Sequence, residues 1–203
     1  MTVIIDYGLG NLGSIQNMLD VIGENAIISS NAEDIKKSDH LILPGVGAFD
    51  AGMQLLNEKK LISVIKDEAK TGKPILGICL GMQLLGKKSE EGQLNGLGLI
   101  PFESKQFLFD KESKLKIPHM GWDIVSFKQQ APLIDGLVGT KRYYFVHSYH
   151  AVCDSDENIL MTCDYGYEFA ASVFNNNVYG VQFHPEKSHD FGMSLLRNFV
   201  EKC

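Results

Sequence analysis

The sequence has no apolar run near the ~18 residues that a membrane-spanning helix needs, so no membrane partner is expected. It also lacks a basic stretch followed by a long apolar one at its start. Met1–Asp6 therefore reads as the beginning of a strand and not as a signal peptide. Its four cysteines (Cys79, Cys153, Cys163, Cys203) form no CxxC pair and no disulfide framework, which points to free thiols in a reducing, cytoplasmic setting. The six histidines show neither HxxxH nor HExxH spacing, so no metal is expected. A basic excess is missing too. The 19 Lys and Arg stand against 25 Asp and Glu, a net charge of −6, whereas neutralising nucleic-acid phosphates takes clustered cations. No linker, repeat or low-complexity segment breaks the chain. Its 203 residues are expected to form one domain, 1–203, with room for one active site.

What is present is an ordinary globular balance, 44% hydrophobic and 22% charged. The first ~90 residues alternate strand and helix patterns. Expected strands are Val3–Ile5, Ala26–Ile28, His40–Leu43 and Pro74–Ile78. Expected helices run from Asn11 to Ile22 and from Leu61 to Ala69, with apolar residues at helical spacing. Such βαβ alternation implies a buried parallel sheet. After Leu97 short strands with turn signals take over: Gly98–Phe102, Gly121–Phe127, Arg142–Tyr149, Ile159–Thr162, Phe169–Phe174 and Val178–Phe183, with Asn175–Asn177 as a hairpin turn. A last helix is expected over Phe191–Val200. The fold class is α/β in three layers, mostly parallel, with a β-rich second half.

Four motifs carry chemistry. Gly8-Leu9-Gly10-Asn11-Leu12-Gly13 follows a strand and fits GxGxxG. A dinucleotide site would also need an acid near Ser29–Asn31, and none stands there. A tight turn or a loop facing a partner or substrate fits equally. Gly77-Ile78-Cys79-Leu80-Gly81 has the pattern of a nucleophile elbow with Cys for Ser. Its helix start would favour the thiolate, and the Leu80 N–H could face an oxyanion. A buried structural cysteine is the alternative. Phe183-His184-Pro185-Glu186 offers a base and a group to orient it, or a surface loop. Pro44-Gly45-Val46-Gly47 could present backbone N–H groups to an anion or simply turn the chain. Loops after strands three and four open at the same sheet edge, where ligands bind in such folds.

The Cys79 elbow followed by Met82-Gln83, with His184-Pro185-Glu186, resembles the class I (triad) glutamine amidotransferases, whose fold is flavodoxin-like. Ile4–Leu12, Leu43–Phe49, Pro118-His119-Met120-Gly121-Trp122, Tyr144–Tyr149 and His184–Ser188 narrow the resemblance to glutaminase subunits of imidazole glycerol phosphate synthases, from histidine biosynthesis. The resemblance covers nearly the whole chain. It implies Cys79 as nucleophile, His184 as base and later acid, and Glu186 as the orienting group. It implies an oxyanion hole from Leu80, Val46 and Gly47, and glutamine contacts from Gln83, Glu91, Ser148 and Tyr149. No cofactor is implied. The implied partner is a (βα)8-barrel cyclase, joined as a heterodimer, that consumes the ammonia to make imidazole glycerol phosphate and aminoimidazole carboxamide ribotide. Trp122, Asp123, Tyr144, Lys187 and Asn11 are the implied interface. The family usually has Asn where this chain has Asp123. A paralogue feeding ammonia to amidino-sugar synthesis would share these motifs. A dinucleotide-binding or catalytically silent module would not need the intact Cys79, His184 and Glu186.

Overall fold

The computed structural model describes residues 1–110 and 112–203. Its first half contains β1 (Thr2–Ile5), α1 (Leu12–Val21), β2 (Ala26–Ser29), α2 (Ala32–Lys37), β3 (His40–Leu43), α3 (Phe49–Glu58), α4 (Leu61–Lys70), β4 (Ile75–Ile78) and α5 (Leu80–Leu85). Then come β5 (Lys88–Ser89), β6 (Phe102–Gln106), β7 (His119–Phe127), β8 (Lys141–His147), β9 (Tyr149–Cys153), β10 (Ile159–Asp164), β11 (Glu168–Asn175), β12 (Val178–Val181) and α6 (His189–Lys202).

The strands join in the order β2-β1-β3-β4-β12-β11-β10-β7-β8. From β2 to β12 the pairing is parallel. From β12 onward it is antiparallel, and β6 and β9 branch off β11. β1, β4 and β12 are buried along their whole length, as strands covered on both faces must be. Alternate residues feed opposite cores. Ile4, Ile42 and Leu76 face α1 and α6, whose Ile15, Leu19, Leu195, Leu196 and Phe199 complete one cluster. Val3, Ile5, Leu41, Leu43 and Ile75 join Phe49, Met53, Leu56, Leu61 and Ile65 of α3 and α4 on the other side. The result is the expected three-layer α/β arrangement. Phe49, Met53 and Leu56 recur at helical spacing along α3, and burying each contributes about 1.5–3 kcal/mol.

Most expected elements lie within two residues of the observed ones, and three differences have local causes. No strand forms over Gly98–Pro101. Gly98 takes a φ of +65°, outside the β region, and β6 starts at Phe102. Arg142–Tyr149 is two strands, because the chain breaks at Ser148: β8 pairs with β7, whereas β9 pairs with β6 and β11. The three-asparagine turn is a two-residue one. Asn175 pairs with Val178, and Asn176 takes the positive φ (+53°) that such hairpins require. Two helices lie outside the expected set. α2 spans fewer than two turns and buries only Ile35, too little to show a repeating apolar face, and Asn31 caps it by accepting from the Glu33 N–H at 2.8 Å. α3 follows directly on the Pro44–Gly47 loop.

Candidate active site

β4 and β12 lie side by side, with Gly180 opposite Gly77 and Val181 opposite Ile78. Cys79 therefore emerges from the middle of the sheet, and His184 emerges three residues beyond the end of its neighbour. The Cys79 backbone sits at φ +55°, ψ −112°, a strained conformation costing about 1–3 kcal/mol for a non-glycine residue. It is held there by the Cys79 N–H donating to the Val181 carbonyl (2.8 Å) and the Cys79 carbonyl accepting from the Gln83 N–H (3.2 Å). The following glycine is obligatory, because a Cβ on Gly81 would run into the Leu43 carbonyl. The elbow is thus wedged against the end of β3, which brings the Pro44–Gly47 loop to Cys79.

His184 and Glu186 are both about 1% exposed, and His184 Nδ1 lies 2.7 Å from Glu186 Oε1. The His184 backbone N–H donates to the Tyr144 carbonyl at 2.9 Å, and Ser188 Oγ donates to the His184 carbonyl at 2.6 Å, so the main chain that carries the ring is fixed from both sides. Its Nε2 is buried and, Cys79 apart, has no partner among the described residues. Burial alone would push the His184 pKa down. Hydrogen bonding and charge from Cys79 and Glu186 outweigh it, and the pKa is raised to about 9. The other thiols differ. Burial, helped by nearby aspartates, pushes Cys153 and Cys163 up to about 12, and burial pushes Cys203 up to about 11.

One cavity of about 440 Å³ gathers the expected residues. Val46, Gly47, Cys79, Leu80, Gln83, Glu91, Ser148, Tyr149 and His184 all line it. Gly47 has a φ of +113°, open to glycine but not to other residues. Glu91 Oε2 accepts from the Phe49 N–H at 2.8 Å, tying the cavity rim to the start of α3. Gln83 Nε2 donates to the Tyr149 carbonyl (3.3 Å) and to Gln182 Oε1 (3.1 Å). Sequence reasoning missed Pro118, Val146 and His147 in the wall, and the buried Gln182 behind it. Val146 and His147 directly precede the Ser148-Tyr149 pair, which was the available signal.

The expected interface residues divide. Trp122 and Tyr144 are cross-strand partners on β7 and β8 with rings 6.3 Å apart, and Lys187 Nζ lies 5.7 Å from the Tyr144 ring centre. Trp122 also stacks on His189 and carries the Arg142 guanidinium over its ring. Met120, Trp122 and Ile124 are exposed along β7. Asn11 stands apart from this cluster at the start of α1. Asp123 also departs from it, because its carboxylate bonds inward to His119 at 2.9 Å. The Gly8–Gly13 segment is a bend at Gly8–Gly10 leading into α1: Gly8 and Gly10 have φ of +101° and +115°, and Gly10 packs on Pro44 and Gly45.

The class-I glutamine amidotransferase family model matches residues 3–203. The imidazole glycerol phosphate synthase subunit HisH 2 of Methanococcus maripaludis is 52% identical to this chain, covering 100% of both. The subunit of the same name from Pseudomonas aeruginosa is 49% identical, covering 99% of both. A solved glutamine amidotransferase superposes with a TM-score of 0.76 at 19% identity, covering 98% of this chain and 97% of that one. The sheet order, the cysteine elbow and the full-length match agree: this chain belongs to the class-I glutamine amidotransferase family.

Proposed function

We propose that this chain is the glutaminase subunit of an imidazole glycerol phosphate synthase. The observation that carries the reading is the cavity in which Cys79 and His184 meet every residue expected to bind glutamine or its oxyanion. Cys79 Sγ passes its proton to His184 Nε2 and attacks the side-chain amide carbon of L-glutamine. His184, oriented by Glu186, returns the proton to the leaving nitrogen, releasing ammonia and a γ-glutamyl thioester. Water, deprotonated by His184, then cleaves the thioester to glutamate and restores the thiol. The Leu80 N–H, at the open start of α5, and the Val46/Gly47 backbone face the developing oxyanion.

The partner in this reading is a barrel cyclase seated on exposed Trp122 and Lys187 and half-buried Tyr144, beside the triad. Contact there suits ammonia, which would otherwise be lost to solvent. The chain works as one domain in the cytoplasm, in keeping with four free thiols.

The test measures glutamate from glutamine, alone and with the cyclase subunit. Activity that rises with the cyclase, forms imidazole glycerol phosphate and vanishes in Cys79→Ala supports the reading. Full activity in Cys79→Ala would overturn it. Glutamate release without imidazole glycerol phosphate would move the acceptor to the amidino-sugar paralogue.

A further inference from the structure

Asp123 Oδ2 lies 2.9 Å from His119 Nε2, while its side chain stays 40% exposed at the rim of β7. His119 Nδ1 lies 3.1 Å from His147 Nε2, and His147 Nδ1 lies 2.8 Å from the Tyr149 carbonyl. The same carbonyl accepts from Gln83 Nε2, which also donates to Gln182 Oε1. Gln182 Nε2 in turn faces Cys79 Sγ at 3.8 Å. These contacts form one polar chain from the rim to the nucleophile, separate from the His184–Glu186 pair. The Glu186–His184 pair is explained by the triad; this chain is not.

The ends of the chain fix the direction of each bond. A carbonyl can only accept, so His147 Nδ1 carries a proton. Burial pushes the His147 pKa down to about 3, so the ring is neutral and its Nε2 accepts. His119 Nδ1 must then donate to it. His119 Nε2 meets a carboxylate, which when ionised also only accepts. Both ring nitrogens of His119 therefore face acceptors, and only the imidazolium satisfies both. Burial pulls the His119 pKa below its usual value, outweighing the hydrogen bond and charge of Asp123; what holds the second proton is the acceptor at each ring nitrogen. The other groups around the ring are aromatic or neutral. Tyr165 and Phe145 stack on it, Phe107 and Phe169 meet it edge-on, and the Cys163 thiol of β10 is pushed up to about 12. His150 of β9 lies beyond Phe107 and is itself pushed down by burial.

We propose that Asp123 is a positioning residue for the glutaminase reaction: it holds His119 as an imidazolium and, through His147, fixes the Tyr149 carbonyl and the Gln83–Gln182 amide pair beside Cys79. The proposal rests on reading the cavity as a glutamine site. With both Gln83 Nε2 protons committed inside the protein, its Oε1 is the acceptor left for a substrate ammonium. Breaking the chain frees that amide to turn over.

Two measurements on the full chain test this. In ¹⁵N imidazole spectra at mildly acidic pH, below the lowered His119 pKa, both His119 nitrogens are expected to be protonated. In Asp123→Asn, whose amide donates to Nε2, one is expected to be. The second measurement is the rate at which a glutamine-like chloroketone alkylates Cys79. It is expected to fall roughly 10-fold in Asp123→Ala and to recover to within about twofold of the native rate in Asp123→Asn, the scale of one buried hydrogen bond. A single protonated nitrogen on His119 in the unaltered chain, or native-rate alkylation of a folded Asp123→Ala, would overturn the proposal. If Asp123→Ala does not fold, the imidazole spectra decide. Failure of the unaltered chain to react at Cys79, with both His119 signals present, would refute the glutamine reading while supporting the protonated pair.

Discussion

The loop that faces Cys79 hangs on a single buried hydroxyl. Tyr7 is fully buried at the end of β1, and its Oη donates to the Pro44 carbonyl at 2.6 Å. A Cβ on the adjacent Gly45 would lie 2.5 Å from that hydroxyl and 2.8 Å from the Gly81 nitrogen, so the loop is clamped between Tyr7 and the elbow. Tyr7→Phe keeps the ring and its apolar contacts and removes only the donor. The Pro44 carbonyl is left buried without its partner, which costs about 1–3 kcal/mol. For a chain of this length a loss of ~2 kcal/mol lowers Tm by about 4–8 °C. Val46 and Gly47, one turn further along, lose part of their fixed position. Removing an oxyanion donor outright costs about 10²–10³ in rate, so a loosened loop is expected to lose nearer 10-fold in kcat. Thermal melts of the isolated chain and glutamate release in the complex read the two effects. A Tm within about 1 °C of the native value would refute the clamp, because a buried carbonyl cannot lose its donor without cost. An unchanged kcat with a lowered Tm would confine Tyr7 to stability.

Other expectations follow from the same geometry. The His184 pKa, raised from 6.5 to about 9, contributes stability that is complete below pH 6.5 and is lost as the pH rises through 9. Urea midpoints are expected to fall over that window, and less steeply in Glu186→Gln; identical slopes would show that Glu186 does not hold the imidazolium. Iodoacetamide at pH 7.5 is expected to label Cys79 before Cys153, Cys163 or Cys203, because burial holds the last three as thiols. Peptide mapping reads the order, and an earlier reaction at any other cysteine would unseat Cys79. Trp122→Ala is expected to weaken cyclase binding while leaving the Tm of the isolated chain within about 1 °C, since Trp122 is 36% exposed and packs on surface groups. An equal loss in the isolated chain would make it a core residue.

The legible parts of the sequence were those with a local physical signature. Alternating apolar runs and helical spacing marked β1, α1, β3, α4 and β4 to within a residue or two, because strands buried on both faces and helices buried on one leave periodic traces. The elbow was legible because a strained turn needs glycines on either side of it. The break at Ser148 was not, because no Gly or Pro interrupts β8 and β9 and only their different partners separate them. Gly98–Pro101 shows the converse: its apolar residues match a strand pattern, yet the stretch has no ladder partner.

The sequence by itself determined the fold class, and it set Cys79, His184 and Glu186 in short motifs that suit the roles proposed for them. Only the tertiary structure decided that β12 lies beside β4, which puts His184 next to Cys79 although the two are far apart along the chain. It alone showed that Asp123 turns inward to His119 while Trp122, its neighbour, stays at the surface. The reason is the period of a strand: successive side chains point to opposite faces, and what each face meets is set by elements distant in sequence.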